Sequence, residues 1–233
     1  MAHPAVKVPR GSRLFSGVGD RRITRALCIV AHPDDIEFFC GGTVLLLSLR
    51  GVVVDLVLAT SGDKGTADPT LAGATLAAQR KLEQTTAARL LGAQRVAFLR
   101  HGDAELIDSL EFRGELVREI RQSRPHVLLT FDPSPSYRQH PDHRVVGRVA
   151  LDAAWPCARD RLSYPTAGPP HATAEAWLFG GSTPTLTVDV RAVLEEKIQA
   201  RLAHRSQTRS PTELRRRWQR TGAVERLTQV DLR

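Results

Sequence analysis

A short apolar run that leads directly into a polar turn constrains this chain more than any other feature. Residues 26–30 read Ala-Leu-Cys-Ile-Val and carry no charge, a pattern typical of a short buried strand. The residues after Ala31 are an imidazole, a proline and two carboxylates: His32, Pro33, Asp34 and Asp35. Because the proline restricts its own φ and favours an extended residue before it, a helix can begin only after it. We predict a strand at about 26–31, a helix at about 37–50 and a polar turn between them.

The rest of the chain alternates between strand and helix patterns, which indicates an α/β sandwich with a mostly parallel sheet and right-handed crossovers. Further strands are predicted at about 52–59, 95–99, 126–131, 175–179 and 184–189. Further helices are predicted at about 76–91, 109–122, 141–154, 190–204 and 211–221. In an open sheet of this kind ligands bind beyond the carboxyl ends of the strands, which is where we expect the polar turn.

A second polar segment follows the strand predicted at about 126–131. Residues 140–143 read His-Pro-Asp-His, and the proline suits the first turn of a helix. Two His-Pro-Asp sequences, each just past a predicted strand, indicate one shared metal site. The ligands that this pattern predicts are His32, Asp35 and His143. Two imidazoles and one carboxylate are typical of catalytic metal sites that keep a position open for water, and Asp34 is then free to act on that water.

The two motifs together resemble those of the PIG-L/LmbE-like N-acetylglucosaminyl deacetylase superfamily. They read Ala31-His32-Pro33-Asp34-Asp35 and, much later in the chain, His140-Pro141-Asp142-His143. Three smaller pieces support the resemblance, which spans most of residues 26–207: Ser61-Gly62, Arg80-x-x-Glu83 running into Leu91-Gly92, and His204-x-Ser206-Gln207. The resemblance implies a Rossmann-like three-layer sandwich with a mostly parallel central sheet.

The same resemblance implies a metal-dependent N-deacetylase. Such a hydrolase splits the amide of an N-acetylglucosamine-type conjugate into acetate and a free amine. The implied metal ligands are again His32, Asp35 and His143. They would hold one divalent ion, with zinc as the first expectation and Fe(II) as the alternative. Asp34 matches the general base, and His140 matches the histidine that steadies the oxyanion, to which it would donate a hydrogen bond if protonated. Asp142 is expected to orient His140 or His143 or to raise the pKa of one of them.

Contacts with the substrate are predicted for three residues: Arg138, Arg80 and Asp63. Arg138 could hold an anionic or hydroxyl-rich part of the substrate. Arg80 could instead form a helical ion pair with Glu83. Some relatives place a tyrosine two residues before the first histidine of the second motif. Tyr137 lies three residues before it, so it is given no catalytic role.

The composition leaves two other functions open. The formal net charge is +8, and arginines gather near both ends of the chain, so a nucleic-acid-binding module is one alternative. Two histidines and a carboxylate also form the ligand set of non-haem Fe(II) oxygenases, which are the other alternative. The free carboxylate of Asp34 favours hydrolysis over oxygenation. A small-molecule amino sugar is the expected partner, nucleic acid is not expected, and a homo-oligomer stays open.

The expected organisation is a loosely docked leader over 1–22, one deacetylase domain over 23–207, and a C-terminal helix and tail over 208–233. Three cysteines without CxxC spacing argue against a disulfide framework and for a reducing compartment. No apolar signal-peptide core is visible over 1–19, and the apolar runs are too short to cross a membrane. We therefore expect a cytoplasmic protein.

Overall fold

A seven-stranded sheet organises the computed structural model, which describes residues 23–71, 73–134 and 139–233. The strands are β1 (Arg25–Val30), β2 (Val53–Thr60), β3 (Arg95–His101), β4 (Val127–Phe131), β5 (Glu175–Phe179), β6 (Leu186–Asp189) and β7 (Val224–Asp231). Their order across the sheet is β3-β2-β1-β4-β5-β7-β6. Strands β1 to β5 pair in parallel, whereas β7 pairs antiparallel with β5 and β6. The predicted α/β class with a mostly parallel sheet is confirmed.

Helices pack on both faces of this sheet. They are α1 (Asp35–Phe39), α2 (Gly41–Leu49), α3 (Ala74–Leu90), α4 (Leu110–Ser123), α5 (Pro141–Asp152), α6 (Leu194–Leu202) and α7 (Pro211–Thr221). Helices α4 and α5 contact each other, while α6 contacts α1, α2, α3 and α7. Right-handed crossovers place these two groups on opposite faces, because the chain moves outward from β1 to β3 and then crosses back to β4. The result is a three-layer sandwich.

The two polar motifs meet because the strands that carry them are neighbours. Strand β1 pairs in parallel with both β2 and β4, and Ala26 lies opposite Val54 and Val127. Residues 26–30 are at most 2% exposed, as expected for a strand that is covered on both faces. Parallel neighbours end at the same edge of a sheet, so the turn after β1 and the segment after β4 lie side by side.

The helix predicted at about 37–50 is in fact two helices, α1 and α2, which meet at Cys40. This residue has φ −145°, outside the helical range, and ends the first helix. Gly42 follows in α2, where an added Cβ would lie only 2.6 Å from the Cβ of Val190. The glycine therefore lets α2 pack directly against the segment before α6. Tertiary packing, which local helix propensity does not report, decides where the first helix ends.

Two other predicted helices also differ at their ends. Helix α5 ends earlier than predicted, and the segment Ala153–Cys157 that follows is kinked at Trp155, whose φ of −141° and ψ of 122° are not helical. The helix predicted at about 190–204 begins as a short 3-10 segment, Arg191–Val193, before α6. Helix α7 matches its predicted range of 211–221. Helix ends depend on the groups that cap them in three dimensions, which is why their positions are the least predictable part.

The tail expected after α7 is wrong, because these residues form β7 in the interior of the sheet. The strand lies between β5 and β6, and Leu227 at its centre is fully buried. Its sequence, Val-Glu-Arg-Leu-Thr-Gln-Val-Asp, mixes polar and apolar residues without a clean apolar run. Hydrogen bonding to two neighbouring strands stabilises the segment, and the local sequence of β7 does not show that these partners are present.

Two other expectations concern the ends and the location of the chain. The leader predicted over 1–22 lies outside the described residues. Among the residues that the structure describes, none of the helices combines the length and the apolarity needed to cross a bilayer.

Candidate metal centre

The turn after β1 links two of the predicted ligands through its own backbone. The backbone N–H of His32 donates to Oδ2 of Asp35 at 2.8 Å. Asp35 is the first residue of α1, and Asp34 before it has φ 87°. This left-handed conformation is uncommon for a residue with a side chain, so it persists only where neighbouring groups stabilise it.

The third predicted ligand, His143, comes from the first turn of α5. Its Nε2 lies 3.1 Å from Oδ1 of Asp35 and 3.3 Å from Nδ1 of His32. The Nδ1 of His32 lies 3.5 Å from Oδ2 of Asp35. Ligand atoms about 2.1 Å from a tetrahedral zinc ion lie about 3.4 Å from one another. The spacing of these three side chains therefore fits one divalent ion.

The charge of Asp35 suits a cation as well. Burial would raise the pKa of Asp35, but the imidazoles of His143 and His32 outweigh it and hold the pKa well below its ordinary value. Asp35 is therefore an ionised carboxylate at neutral pH, which is the form that binds a metal.

The second nitrogen of His32 contacts two carboxylates. Its Nε2 lies 3.0 Å from Oδ2 of Asp142 and 3.1 Å from Oδ1 of Asp103. Burial lowers the pKa of His32, but Asp103, Asp142 and Asp35 outweigh it and raise the pKa to about 11. With such a pKa the ring carries a proton on both nitrogens in the absence of a metal; an ion bound at Nδ1 would displace the Nδ1 proton, while the carboxylates retain the Nε2 proton. The carboxylate of Asp142 thus meets His32, rather than His140 or His143 as expected.

Asp34 does not belong to the ligand set and lies beside two arginines. Its Oδ1 is 3.5 Å from Arg80, and its Oδ2 is 3.3 Å from Arg201. Burial, followed by the charge of Asp35, raises the pKa of Asp34 to about 6, against the opposing effect of both arginines. A carboxylate with such a pKa can accept and return a proton near neutral pH.

His140 is the N-cap of α5, and its ring is oriented by the backbone of the helix. Its Nδ1 accepts a hydrogen bond from the backbone N–H of Asp142 at 3.2 Å. The ring meets that of His32 edge-on, with centroids 4.8 Å apart. Burial, followed by the charge of His32, lowers the pKa of His140. The accepting Nδ1 and the lowered pKa favour a neutral imidazole whose Nε2–H is the donor, rather than the protonated ring expected from the sequence.

Asp103 is a member of this site that sequence reasoning missed. It lies just past β3, is 7% exposed, and belongs with His32 and His140 to a second group whose possible ligand atoms lie within 4.8 Å of one another. The available signal was its position after a strand of the same sheet. The residues around Asp103 carry no recognisable motif that would single it out.

The comparisons with known proteins identify the family of this chain. The family model described as PIG-L, GlcNAc-PI de-N-acetylase, matches residues 27–154. This range contains both motifs and all three predicted ligands. This chain belongs to the PIG-L family. The match includes most of β1 and all of β2 to β4 and α5, the elements that bring the predicted ligands together.

Relatives of this PIG-L family protein include named deacetylases. Diacetylchitobiose deacetylase of Thermococcus kodakarensis is 34% identical over 79% of this chain and 70% of its own length. The 1D-myo-inositol 2-acetamido-2-deoxy-alpha-D-glucopyranoside deacetylase of Streptomyces scabiei is 33% identical over 72% of this chain, which spans 58% of that relative's length. Among solved structures, N,N'-diacetylchitobiose deacetylase from Pyrococcus horikoshii has a TM-score of 0.81 and 31% identity, covering 90% of this chain and 84% of its own.

Arg80 of this PIG-L family protein holds two loops together. It donates to the carbonyl of Pro33 at 2.6 Å and to that of Gly62 at 3.0 Å, and it is 4% exposed. Among the described contacts, Arg80 does not form the alternative ion pair with Glu83. Oε1 and Oε2 of Glu83 instead accept from the backbone N–H and the hydroxyl of Ser206, at 2.9 and 2.6 Å.

The other two residues predicted to contact the substrate are Asp63 and Arg138. Oδ1 of Asp63 accepts from the backbone N–H of Asp103 at 3.2 Å, so this carboxylate supports the loop that carries Asp103. Arg138 lies outside the described residues.

Proposed function

We propose that this PIG-L family protein is a metal-dependent hydrolase that removes the N-acetyl group from an N-acetylglucosamine-type conjugate. The observation that carries the proposal is the convergence of the His32, Asp35 and His143 ligand atoms, with the carboxylate of Asp34 left outside the ligand set. The products are acetate and the free amine of the sugar.

The donor set suits zinc first and ferrous ion second. Two imidazole nitrogens and one carboxylate oxygen are ligands that both ions accept. His32, Asp35 and His143 would hold the ion. When bound there, it supplies a Lewis acid that polarises the amide carbonyl and makes water a better nucleophile.

Asp34 is the proposed general base. As the water oxygen attacks the amide carbon, a water proton moves to the carboxylate of Asp34. When the carbon–nitrogen bond breaks, the same carboxylate returns that proton to the departing amine, so the enzyme ends the cycle unchanged. The two arginines beside Asp34 keep its carboxylate in one orientation during both transfers.

His140 is the proposed donor to the carbonyl oxygen of the substrate. Its Nδ1 is occupied by the backbone N–H of Asp142, so its Nε2–H is the group available to the reaction. A hydrogen bond to that oxygen strengthens as the oxygen gains negative charge, which stabilises the tetrahedral intermediate.

The names of the relatives support the proposed substrate class. Those described above are named as deacetylases of diacetylchitobiose and of an acetamido-glucosyl inositol, and both names specify an N-acetylated glucosamine unit. These relatives do not favour the oxygenase or the nucleic-acid-binding alternative. Hydrolysis also explains why an acidic side chain adjoins the ligand set without joining it.

The test is an amine-release screen with purified protein of measured metal content. The substrates are N-acetylglucosamine, diacetylchitobiose and an N-acetylglucosaminyl inositol, and acetate is quantified in parallel. We expect equal amounts of amine and acetate from at least one substrate, and loss of both after chelation. Absence of amine release from all of them, or consumption of oxygen during turnover, would overturn the proposal.

A further inference from the structure

A chain of buried polar groups that the mechanism above does not use reaches the backbone of Asp34. The backbone N–H of Asp34 donates to Oε1 of Gln84 at 3.0 Å. Nε2 of the same amide donates to Oε1 of Glu37 at 3.1 Å. Oε2 of Glu37 lies 3.2 Å from Nε2 of His204, a close polar contact without the geometry of a hydrogen bond. Gln84, Glu37 and His204 are all 0% exposed.

The neighbours of Gln84 determine which way its amide points. A backbone N–H needs an acceptor and a carboxylate needs a donor, so the amide oxygen must face Asp34 and the nitrogen must face Glu37. If the amide were reversed, its NH2 group would face the backbone N–H of Asp34, and its oxygen would face the carboxylate of Glu37. Since no solvent reaches these groups, that mismatch would leave buried polar atoms unpaired, which is costly.

The conformation of Asp34 explains why such support is needed. Its φ of 87° is strained for a residue with a Cβ. Arg80 and Arg201 hold its carboxylate, and both are 4% exposed. These ion pairs leave the peptide N–H of Asp34 unfixed. The hydrogen bond to Gln84 is the contact that holds this N–H, and it ties the turn to α3.

We propose that Gln84 is a positioning residue for the reaction, which holds Asp34 in its left-handed conformation by joining its backbone N–H to the buried Glu37–His204 pair. The inference rests on the proposed function, because it takes Asp34 as the base. A base displaced by about 1 Å can lose about 100-fold in rate. The expected signature of a disturbed Gln84 is a lower kcat with KM and metal content unchanged, since its described side-chain hydrogen bonds go to Asp34 and Glu37.

The test replaces the amide by a carboxylate and then exchanges the two groups. In Gln84→Glu, one oxygen still accepts from Asp34, but the other opposes the carboxylate of Glu37. In the double variant Gln84→Glu/Glu37→Gln, the donor and the acceptor trade places, and the hydrogen-bond chain is complete again. The matched control is Gln79→Glu on the same helix. Nε2 of Gln79 donates to Oε1 of Glu83, also at 3.1 Å, so this variant makes the same kind of carboxylate pair away from Asp34.

We expect Gln84→Glu to lower kcat by about tenfold or more, and Gln79→Glu to stay within about twofold of the parent enzyme. The double variant is expected to recover most of the lost kcat, and because kcat is counted per metal-loaded, folded molecule, a loss of folding alone does not lower it. Thermal midpoints and metal content are measured on every variant, and kcat is calculated per metal-loaded, folded molecule.

Two results would overturn the inference alone while the parent enzyme is active. One is an unchanged kcat in Gln84→Glu, and the other is a double variant no more active than the single one. If Gln84→Glu does not fold, the double variant decides: a folded enzyme near parental kcat supports the inference, and a folded, metal-loaded but slow enzyme contradicts it. A parent enzyme that releases no amine overturns the proposed function itself, and this inference with it.

Discussion

The Nε2 atom of His32 lies 3.0 Å from Oδ2 of Asp142, and this contact leaves the other ring nitrogen for the proposed metal ion. Asp142 is 1% exposed, and it also accepts from the backbone N–H groups of Ala104 and Leu106, at 2.7 and 3.2 Å. The loop after β3 therefore fixes the carboxylate that orients a ligand in the turn after β1.

Metal affinity should accordingly depend on the charge of Asp142. Replacing it in Asp142→Asn keeps the shape but removes the negative charge that favours a donating Nε2–H on His32. We expect metal affinity to fall by about 10- to 100-fold. A competition titration with a chromogenic chelator measures it. Asp152→Asn, at the other end of the same helix, is the control and should bind metal like the parent; equal affinities in both variants would contradict this role for Asp142.

Metal binding and turnover should separate between Asp34 and His143. Asp34→Asn keeps all three ligands but cannot accept a proton, so we expect normal metal content and a kcat lower by about 100-fold or more. His143→Ala removes a ligand and should lose both metal and turnover. Elemental analysis together with the amine-release assay measures the two quantities. A fully active Asp34→Asn enzyme would refute the assignment of Asp34 as the base.

Glu225 on β7 should contribute strongly to stability. It accepts from the backbone N–H groups of Gly42 and Thr43 at 2.8 and 2.7 Å, and it lies 2.8 Å from Nζ of Lys197. Both charged side chains are 3% exposed. Because Glu225→Ala leaves a buried ammonium without its partner, we expect the free energy of unfolding to fall by about 3–5 kcal/mol. Urea denaturation followed by circular dichroism measures the change.

A surface ion pair provides the control for that experiment. Glu195 pairs with Arg215, and the carboxylate is largely exposed. Glu195→Ala should change the free energy of unfolding by no more than about 1 kcal/mol. Similar losses in the Glu195 and Glu225 variants would show that burial does not set the size of the effect.

Close packing at Gly42 gives a prediction about the contact between α2 and Val190. In Gly42→Ala the new methyl group would lie 2.6 Å from Cβ of Val190, and we expect a loss of about 1–3 kcal/mol. Gly41→Ala is the matched control, because its nearest neighbour, the carbonyl oxygen of Ile36, lies at 3.4 Å. The control should stay within about 1 kcal/mol of the parent. Thermal and urea unfolding of both variants measure the difference, and equal effects would contradict the packing argument.

Much of the site was predictable because its residues adjoin strands with strong local patterns. Residues 26–30 are apolar without interruption, and the turn after them carries two of the ligands. The second motif begins α5 with a proline, as its sequence predicts. Once both strands are parallel neighbours, the positions of His32 and His143 at one edge follow from topology.

Asp103 and Gln84 were not predictable in the same way. Asp103 lies in a loop with no motif, and its role depends on the 3.1 Å contact with His32. Gln84 lies in α3, where a glutamine is ordinarily a solvent-exposed residue, yet its side chain is completely buried. Both acquire their contacts from residues far away in the sequence.

The amino-acid sequence by itself determined the α/β class, the strand–turn–helix units and the identities of the side chains that can bind a metal or move a proton. These depend on local periodicity and on chemistry that each residue carries wherever it lies. Only the tertiary structure decided that β7 enters the sheet, that Asp142 orients His32, and that Gln84 supports the strained turn at Asp34. Contacts of this kind form between segments that are distant in the chain, so their energies appear only after the core has brought them together.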